Sequence, residues 1–118
     1  MADDFVGVAS IELQPATAGA PYTFSLPACS GVGTNDGRLP YGDSIVSVIV
    51  TAHTAAGVDV TAELISGTPT VTDGEDITVA LNYPATTGPG RYHLRFVYTL
   101  DSGVVDEVDF NKIMALDR

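Results

Sequence analysis

The sequence predicts an all-β domain, a sandwich of about seven antiparallel strands. Three observations predict it. Lysine occurs once, at Lys112, and the chain is crowded instead with Val, Ile, Thr and aromatic residues, which suit a pleated, half-buried surface. Short apolar runs are separated by clusters of Gly, Pro, Asp and Asn at intervals of roughly ten residues. Within the clearest runs, apolar and polar side chains alternate with a period of two.

The first expected strand spans residues 10–14, where Ile11 and Leu13 alternate with Glu12 and Gln14. After an interruption between Pro15 and Pro21, Tyr22, Phe24 and Leu26 alternate with Thr23 and Ser25, and Pro27 ends the run because it cannot donate to a ladder. Residues 28–43 form a Gly-rich connection with a strong turn signal at Asn35-Asp36-Gly37. Its length exceeds that of an ordinary loop, so it is expected to be functional or mobile.

Residues 45–52 are apolar on both faces, as a central strand would be. A turn at Ala55-Ala56-Gly57 leads to a weaker strand over 58–65, a break at Ser66-Gly67-Thr68-Pro69, and a short pairing strand around Val71. Asp73-Gly74 is a typical hairpin dipeptide. Ile77, Val79 and Leu81 mark the next strand, and 84–90 the next break. In 91–100, Tyr92, Leu94, Phe96 and Tyr98 share one face, with His93 on the other between Arg91 and Arg95. Asp101-Ser102-Gly103 then turns the chain into a hairpin partner over 104–110. Residues 111–118 fit either an extension of that strand or one helical turn.

At 118 residues there is room for one domain, burying roughly two-thirds of the surface its unfolded chain would expose. Within it, 1–43 supply N-terminal strands and the long loop, and 44–118 the core strand ladder. Five Lys and Arg against fifteen Asp and Glu give a net charge of −10, unfavourable for nucleic acid or anionic lipid. Neither is expected as a partner. An acidic surface favours solubility, and a partner with a basic face is the sharper alternative. Cys29 is the only cysteine, so no intrachain disulfide can form. Met1-Ala2-Asp3-Asp4 opens on acid with no sustained apolar run behind it, which is no secretory signal.

Gly88-Pro89-Gly90-Arg91-Tyr92 resembles the opening of the penultimate strand in immunoglobulin-like domains, where a corner tyrosine sends its hydroxyl back to the chain a few residues upstream. The resemblance assigns Gly90 the permissive backbone and Tyr92 the buried phenol. It implies an immunoglobulin-like antiparallel β-sandwich, without the tryptophan and cysteine pair of antibody domains. From Asp43 onward the chain also resembles small immunoglobulin-like proteins of tailed phages and prophages, including head–tail or fibre–tail adaptors and decoration domains. The stretches concerned are Asp43-Ser44-Ile45-Val46-Ser47-Val48, Gly57-Val58-Asp59-Val60-Thr61, Gly90-Arg91-Tyr92-His93-Leu94 and Thr99-Leu100-Asp101-Ser102-Gly103. That resemblance implies a non-enzymatic virion protein, in the particle or the host cytoplasm, binding itself or other virion proteins. Contacts would lie on the N-terminal arm and the 28–43 loop, with Asn35, Asp36, Arg38 and Tyr41 as candidates. A bacterial immunoglobulin-like adhesion or carbohydrate-binding module is the alternative.

No enzyme site assembles from the sequence. Cys29 lacks the surroundings of a cysteine nucleophile and reads as a small semi-buried side chain; His53 and His93 read as surface residues. Zinc is disfavoured by one cysteine and two distant histidines. The acidic turns at 73–76 and 101–109 offer oxygen ligands for calcium, but lack the helix–loop–helix spacing and read as solvated surface. Neither metal nor cofactor is expected. Residues 31–37 miss the spacing of a dinucleotide loop, and no Lys-Ser/Thr follows for a phosphate loop.

Overall fold

A computed structural model describes residues 8–117. The acidic opening Met1-Ala2-Asp3-Asp4 and the rest of the N-terminal arm through residue 7 lie outside the described residues, as does Arg118. Seven strands and one short helix follow in order: β1 (Ile11–Leu13), β2 (Ala20–Ser25), β3 (Ile45–Thr54), α1 (Thr61–Leu64), β4 (Ile65–Thr72), β5 (Asp76–Leu81), β6 (Gly90–Leu100) and β7 (Val105–Ala115). They form two packed sheets, one ordered β1-β7-β6-β3 and the other β2-β5-β4. The domain is an all-β sandwich.

Strand alternation builds the core. On β6, Tyr92, Leu94, Phe96, Tyr98 and Leu100 all face inward and are buried, while Ile77, Val79 and Leu81 do the same from β5. Phe24 of β2 lies between the sheets, its ring 5.0 Å from that of Phe96 and 5.1 Å from that of Phe110, in tilted and edge-on arrangements that suit the aromatic quadrupole. Leu13, Phe24, Leu26 and Leu39 are buried too, so the stretch from 11 to 39 contributes to the same core.

Several elements depart from expectation. β3 is an outer strand of its sheet, not a central one. Its register shifts between Ile45 and Ser47, so Ile45 faces inward on one side of a bulge, and Val50 and Ala52 on the other. Two inward phases overlap with the exposed Val46 and Ile49, which makes the run apolar on both faces without burying both. The strand expected over 58–65 is instead a bridge from Asp59 to His53 followed by α1, where the main-chain N–H of Thr61 donates to the Asp59 carboxylate. β4 continues through Gly67 and Pro69, its register shifting between Ser66 and Thr70. One pair is not antiparallel: β1 runs parallel to β7.

The last residues extend β7. Tyr92 pairs with Ile113 and Leu94 with Phe110, leaving one extra residue on β7 between those pairs. This bulge moves the inward phase from Val108 and Phe110 to Ile113 and Ala115, all four of them buried. In the β4–β5 hairpin, Thr72 pairs with Asp76 across a three-residue turn in which Asp73 and Gly74 are left-handed, with φ of 56° and 71°.

Tyr92 ties the start of β6 to the preceding loop: its hydroxyl donates to the main-chain carbonyl of Gly88. Burial pushes this phenol above its ordinary pKa, so it stays a donor at neutral pH. The Tyr83 hydroxyl makes a comparable bond to the carbonyl of Leu116 beyond β7. Replacing Tyr92 by Phe keeps the packing and removes the bond; urea unfolding is expected to show a loss of about 0.5–1.5 kcal/mol.

Candidate functional site

One end of the sandwich gathers three connections: the 28–43 loop, the β4–β5 turn and the β6–β7 turn. Main-chain and carboxylate bonds draw them together. The N–H of Ile45 donates to the carbonyl of Gly74 at 2.8 Å, and that of Asp101 to the carbonyl of Ser44 at 2.8 Å. Asp43 accepts from the Ser102 hydroxyl at 2.6 Å and from the main-chain N–H groups of Ser44 and Ser102. These bonds hold the Asp43 carboxyl below its usual pKa, the Ser102 hydroxyl most of all. Glu75 accepts from the N–H of Ala28 at 3.1 Å.

The long loop is built, not slack. Arg38 and Leu39 donate their N–H groups to the carbonyl of Pro27, and Cys29 donates to that of Leu39, forming a short parallel bridge. Leu39 enters the core and pins the loop's return. A Cβ on Gly37 would stand 2.5 Å from the carbonyl carbon of Ala28 and 2.6 Å from the nitrogen of Cys29, so lack of space demands glycine there. Cys29 is half-buried, its thiol donating to the Gly37 carbonyl at 3.5 Å.

The four candidate contact residues occupy different situations. Arg38 reaches across to the other sheet, donating from Nε to the Tyr98 hydroxyl at 3.1 Å and from Nη2 to the carbonyl of Glu107 at 2.9 Å, with the Asp106 carboxylate at 3.5 Å. Its role is a strap between loop and hairpin. Asp36 folds back on the loop and accepts from the N–H and hydroxyl of Ser30 and from the Thr34 hydroxyl. Led by the Ser30 hydroxyl, these bonds lower its pKa to about 2. Asn35 is exposed, and Tyr41 is 57% exposed.

Apolar side chains accompany Tyr41 on this half of the molecule. Val32 at the loop tip is 88% exposed, and Val46, Ile49, Val104 and Val105 are all more than half exposed. Ile49 lies opposite Val97, and Val105 opposite Thr99, on the outer face of the four-stranded sheet. The same three connections and the start of β7 carry the carboxylates Asp36, Asp43, Asp73, Asp101, Asp106 and Glu107. Among the described residues, no group of three or more His, Cys, Asp or Glu is arranged to hold a metal ion.

The two histidines are not distant. His53 and His93 are directly paired across β3 and β6, with their rings stacked at 5.3 Å and inclined by 20°. His53 lies within β3, and its Nδ1 is buried without a hydrogen-bond partner. The sequence concealed the pair because it depends on register between strands forty residues apart. Cys29 lies in the loop at the opposite end of β3, so the structure does not unite it with the histidines. Glu63, which no sequence motif marks, accepts from the N–H groups of Thr86 and Thr87 and from the Thr87 hydroxyl, tying α1 to the loop before β6.

Among the described residues, no helix is long and apolar enough to cross a membrane. Comparison with models of known protein families and with curated proteins finds no match.

Two outcomes follow for the loop. Gly37→Ala forces its new methyl into main chain, and is expected to cost about 1–3 kcal/mol in denaturant unfolding and to expose the Cys29 amide to hydrogen exchange. Because Asp36 titrates lower in the folded chain than in the unfolded one, its contribution is complete above about pH 4 and disappears as pH falls toward 2. Protection of the Ser30 amide, measured against its intrinsic exchange rate at each pH, should therefore hold at pH 5 and fall through that window, and Asp36→Asn should weaken the dependence.

Proposed function

We propose that this chain is an immunoglobulin-like structural protein of a tailed-phage or prophage particle, a rigid non-enzymatic spacer acting through protein–protein contacts. The observation that carries the contact reading is the exposed apolar set around the looped end, Val32, Tyr41, Val46, Ile49, Val104 and Val105, on a chain of net charge −10. Large apolar side chains left in solvent on one part of a folded domain are a feature of interaction sites. A loop held by Leu39, Arg38 and Asp36 presents Tyr41 and Val32 with little ordering left to be done on binding. The acidic rim suits a basic partner, whose approach it would accelerate at low salt.

The immunoglobulin-like assignment draws support from the pairing of β1 with β7, the separation of β2-β5-β4 into a second sheet, and the bond from Tyr92 to Gly88. The particle assignment draws on the resemblance of the strand-and-turn stretches beginning at Asp43 and Gly90. Its location in this reading is the virion, or the host cytoplasm before assembly.

Induction of the host lysogen, followed by mass spectrometry of purified particles, tests the assignment. The chain is expected at a fixed ratio to tail or head–tail proteins, and Tyr41→Ala combined with Val32→Ser is expected to lower its incorporation at least tenfold. Intact particles that lack the chain would overturn the assignment.

A further inference from the structure

Aspartate is followed by glycine twice in the chain, at Asp36-Gly37 and at Asp73-Gly74. With no Cβ on the second residue, its nitrogen can approach the aspartate side chain unhindered. In sequence the two dipeptides are equivalent. The fold treats them differently.

At 36–37 the carboxyl is held. It accepts from the Ser30 N–H at 3.0 Å and from the Ser30 hydroxyl at 2.6 Å, and Gly37 beside it is buried against the main chain of Ala28. The bonds favour the ionised form. With the pKa lowered from the ordinary 3.8 to about 2, the protonated share at pH 5 falls roughly sixtyfold. A carboxylate resists attack by an amide nitrogen, because its oxygen leaves readily only as water.

At 73–74 the carboxyl is free to react. Asp73 is exposed, and among the described residues its side chain makes no hydrogen bond or ion pair. The peptide unit joining it to Gly74 is likewise unbonded there, at both its C=O and its N–H. Gly74 does lie against Ser44, and its carbonyl accepts from the Ile45 N–H at 2.8 Å. That bond holds the far side of the residue and leaves the 73–74 unit able to pivot.

We propose that Asp73 is a site of spontaneous isoaspartate formation in the folded chain, and that the fold protects Asp36 from the same reaction. The Gly74 nitrogen attacks Cγ of the protonated Asp73 carboxyl and forms a new C–N bond. The carboxyl hydroxyl leaves with the amide proton as water, and a succinimide ring remains. One water then adds to a ring carbonyl and breaks its C–N bond. Opening at Cγ restores aspartate. Opening at the α-carbonyl gives isoaspartate, whose main chain runs through Cβ and Cγ and whose α-carboxylate becomes the side group. No oxidant, cofactor or second protein takes part.

The product alters the looped end. An added methylene lengthens the three-residue turn and shifts the Gly74 carbonyl away from the Ile45 N–H. The start of β3 is thereby released from the β4–β5 turn. The inference stands independently of the particle assignment, since it concerns the chain alone.

Ageing the full chain at pH 5 and about 37 °C in oxygen-18 water, then digesting it in ordinary water for peptide mass spectrometry, tests the proposal. Each ring opening leaves one heavy oxygen in the peptide, so passage through the succinimide is counted at each site. In the folded protein, label is expected at Asp73 at least about tenfold faster than at Asp36. In urea, where the bonds from Ser30 are gone, the two sites should label at comparable rates. Hydrogen exchange on the aged protein should show an unprotected Ile45 amide in a fraction equal to the isoaspartate content. Equal labelling of the two sites in the folded chain overturns the proposal, as does labelling of Asp73 in urea alone. An Ile45 amide that stays protected in isoaspartate chains overturns the release of β3.

Discussion

The packing of Phe24 against Phe96 and Phe110 is the contact on which the rest of the sandwich depends. It joins a strand of the smaller sheet to two strands of the larger at the midpoint of the core. Around it, β6 contributes an unbroken inward row from Tyr92 to Leu100, and β5 a shorter row from Ile77 to Leu81. Neither sheet can bury its apolar face alone, so sheet-to-sheet contact and strand pairing support each other. Interior aromatics of this size remove a large apolar area from water, and their tilted geometry adds to that gain.

The acidic composition acquires a different meaning once the structure is considered. Asp36, Asp43, Glu63 and Glu75 accept hydrogen bonds from main-chain N–H groups of their own or neighbouring connections. These carboxylates organise turns as well as conferring charge. For Asp36, Asp43 and Glu63 the bonds favour the ionised form over the protonated one, which ties the order of both ends of the sandwich to pH. Arg38 spends its donors on Tyr98, Asp106 and the Glu107 carbonyl, and thereby gives the loop a fixed position against the hairpin. The exposed apolar side chains of the looped end are carried on a frame held by these polar bonds.

The departure of β3 from expectation follows from its place at the edge of its sheet. A bulge near its start displaces the inward phase, and the strand lies at a sheet edge with Val46 and Ile49 in solvent. Burial within the chain accounts for Ile45, Val50 and Ala52, and for Val48 in part, but not for Val46 and Ile49. The β7 bulge has the opposite outcome: its phase shift keeps Ile113 and Ala115 in the core. The same irregularity preserves burial on one strand and leaves apolar surface exposed on the other, depending on what lies opposite.

By itself the sequence determined the all-β class, the strong period-two strands β2, β5 and β6, the Asp73-Gly74 reversal and the β6–β7 hairpin. These rest on local alternation and turn chemistry, which are written in consecutive residues. It also marked the 28–43 loop and the tyrosine that bonds back to Gly88. Only the tertiary structure decided that β3 is an edge, that β1 runs parallel to β7, that 61–64 is helical, and that His53 stacks on His93. Each depends on register or neighbours distant along the chain, and bulges in β3 and β7 break the very periodicity by which a strand's faces are read. The candidate surface was legible only in part: Tyr41 could be singled out as an exposed loop aromatic, whereas the strap made by Arg38 and the solvent exposure of Ile49 required the partner strands to be in place.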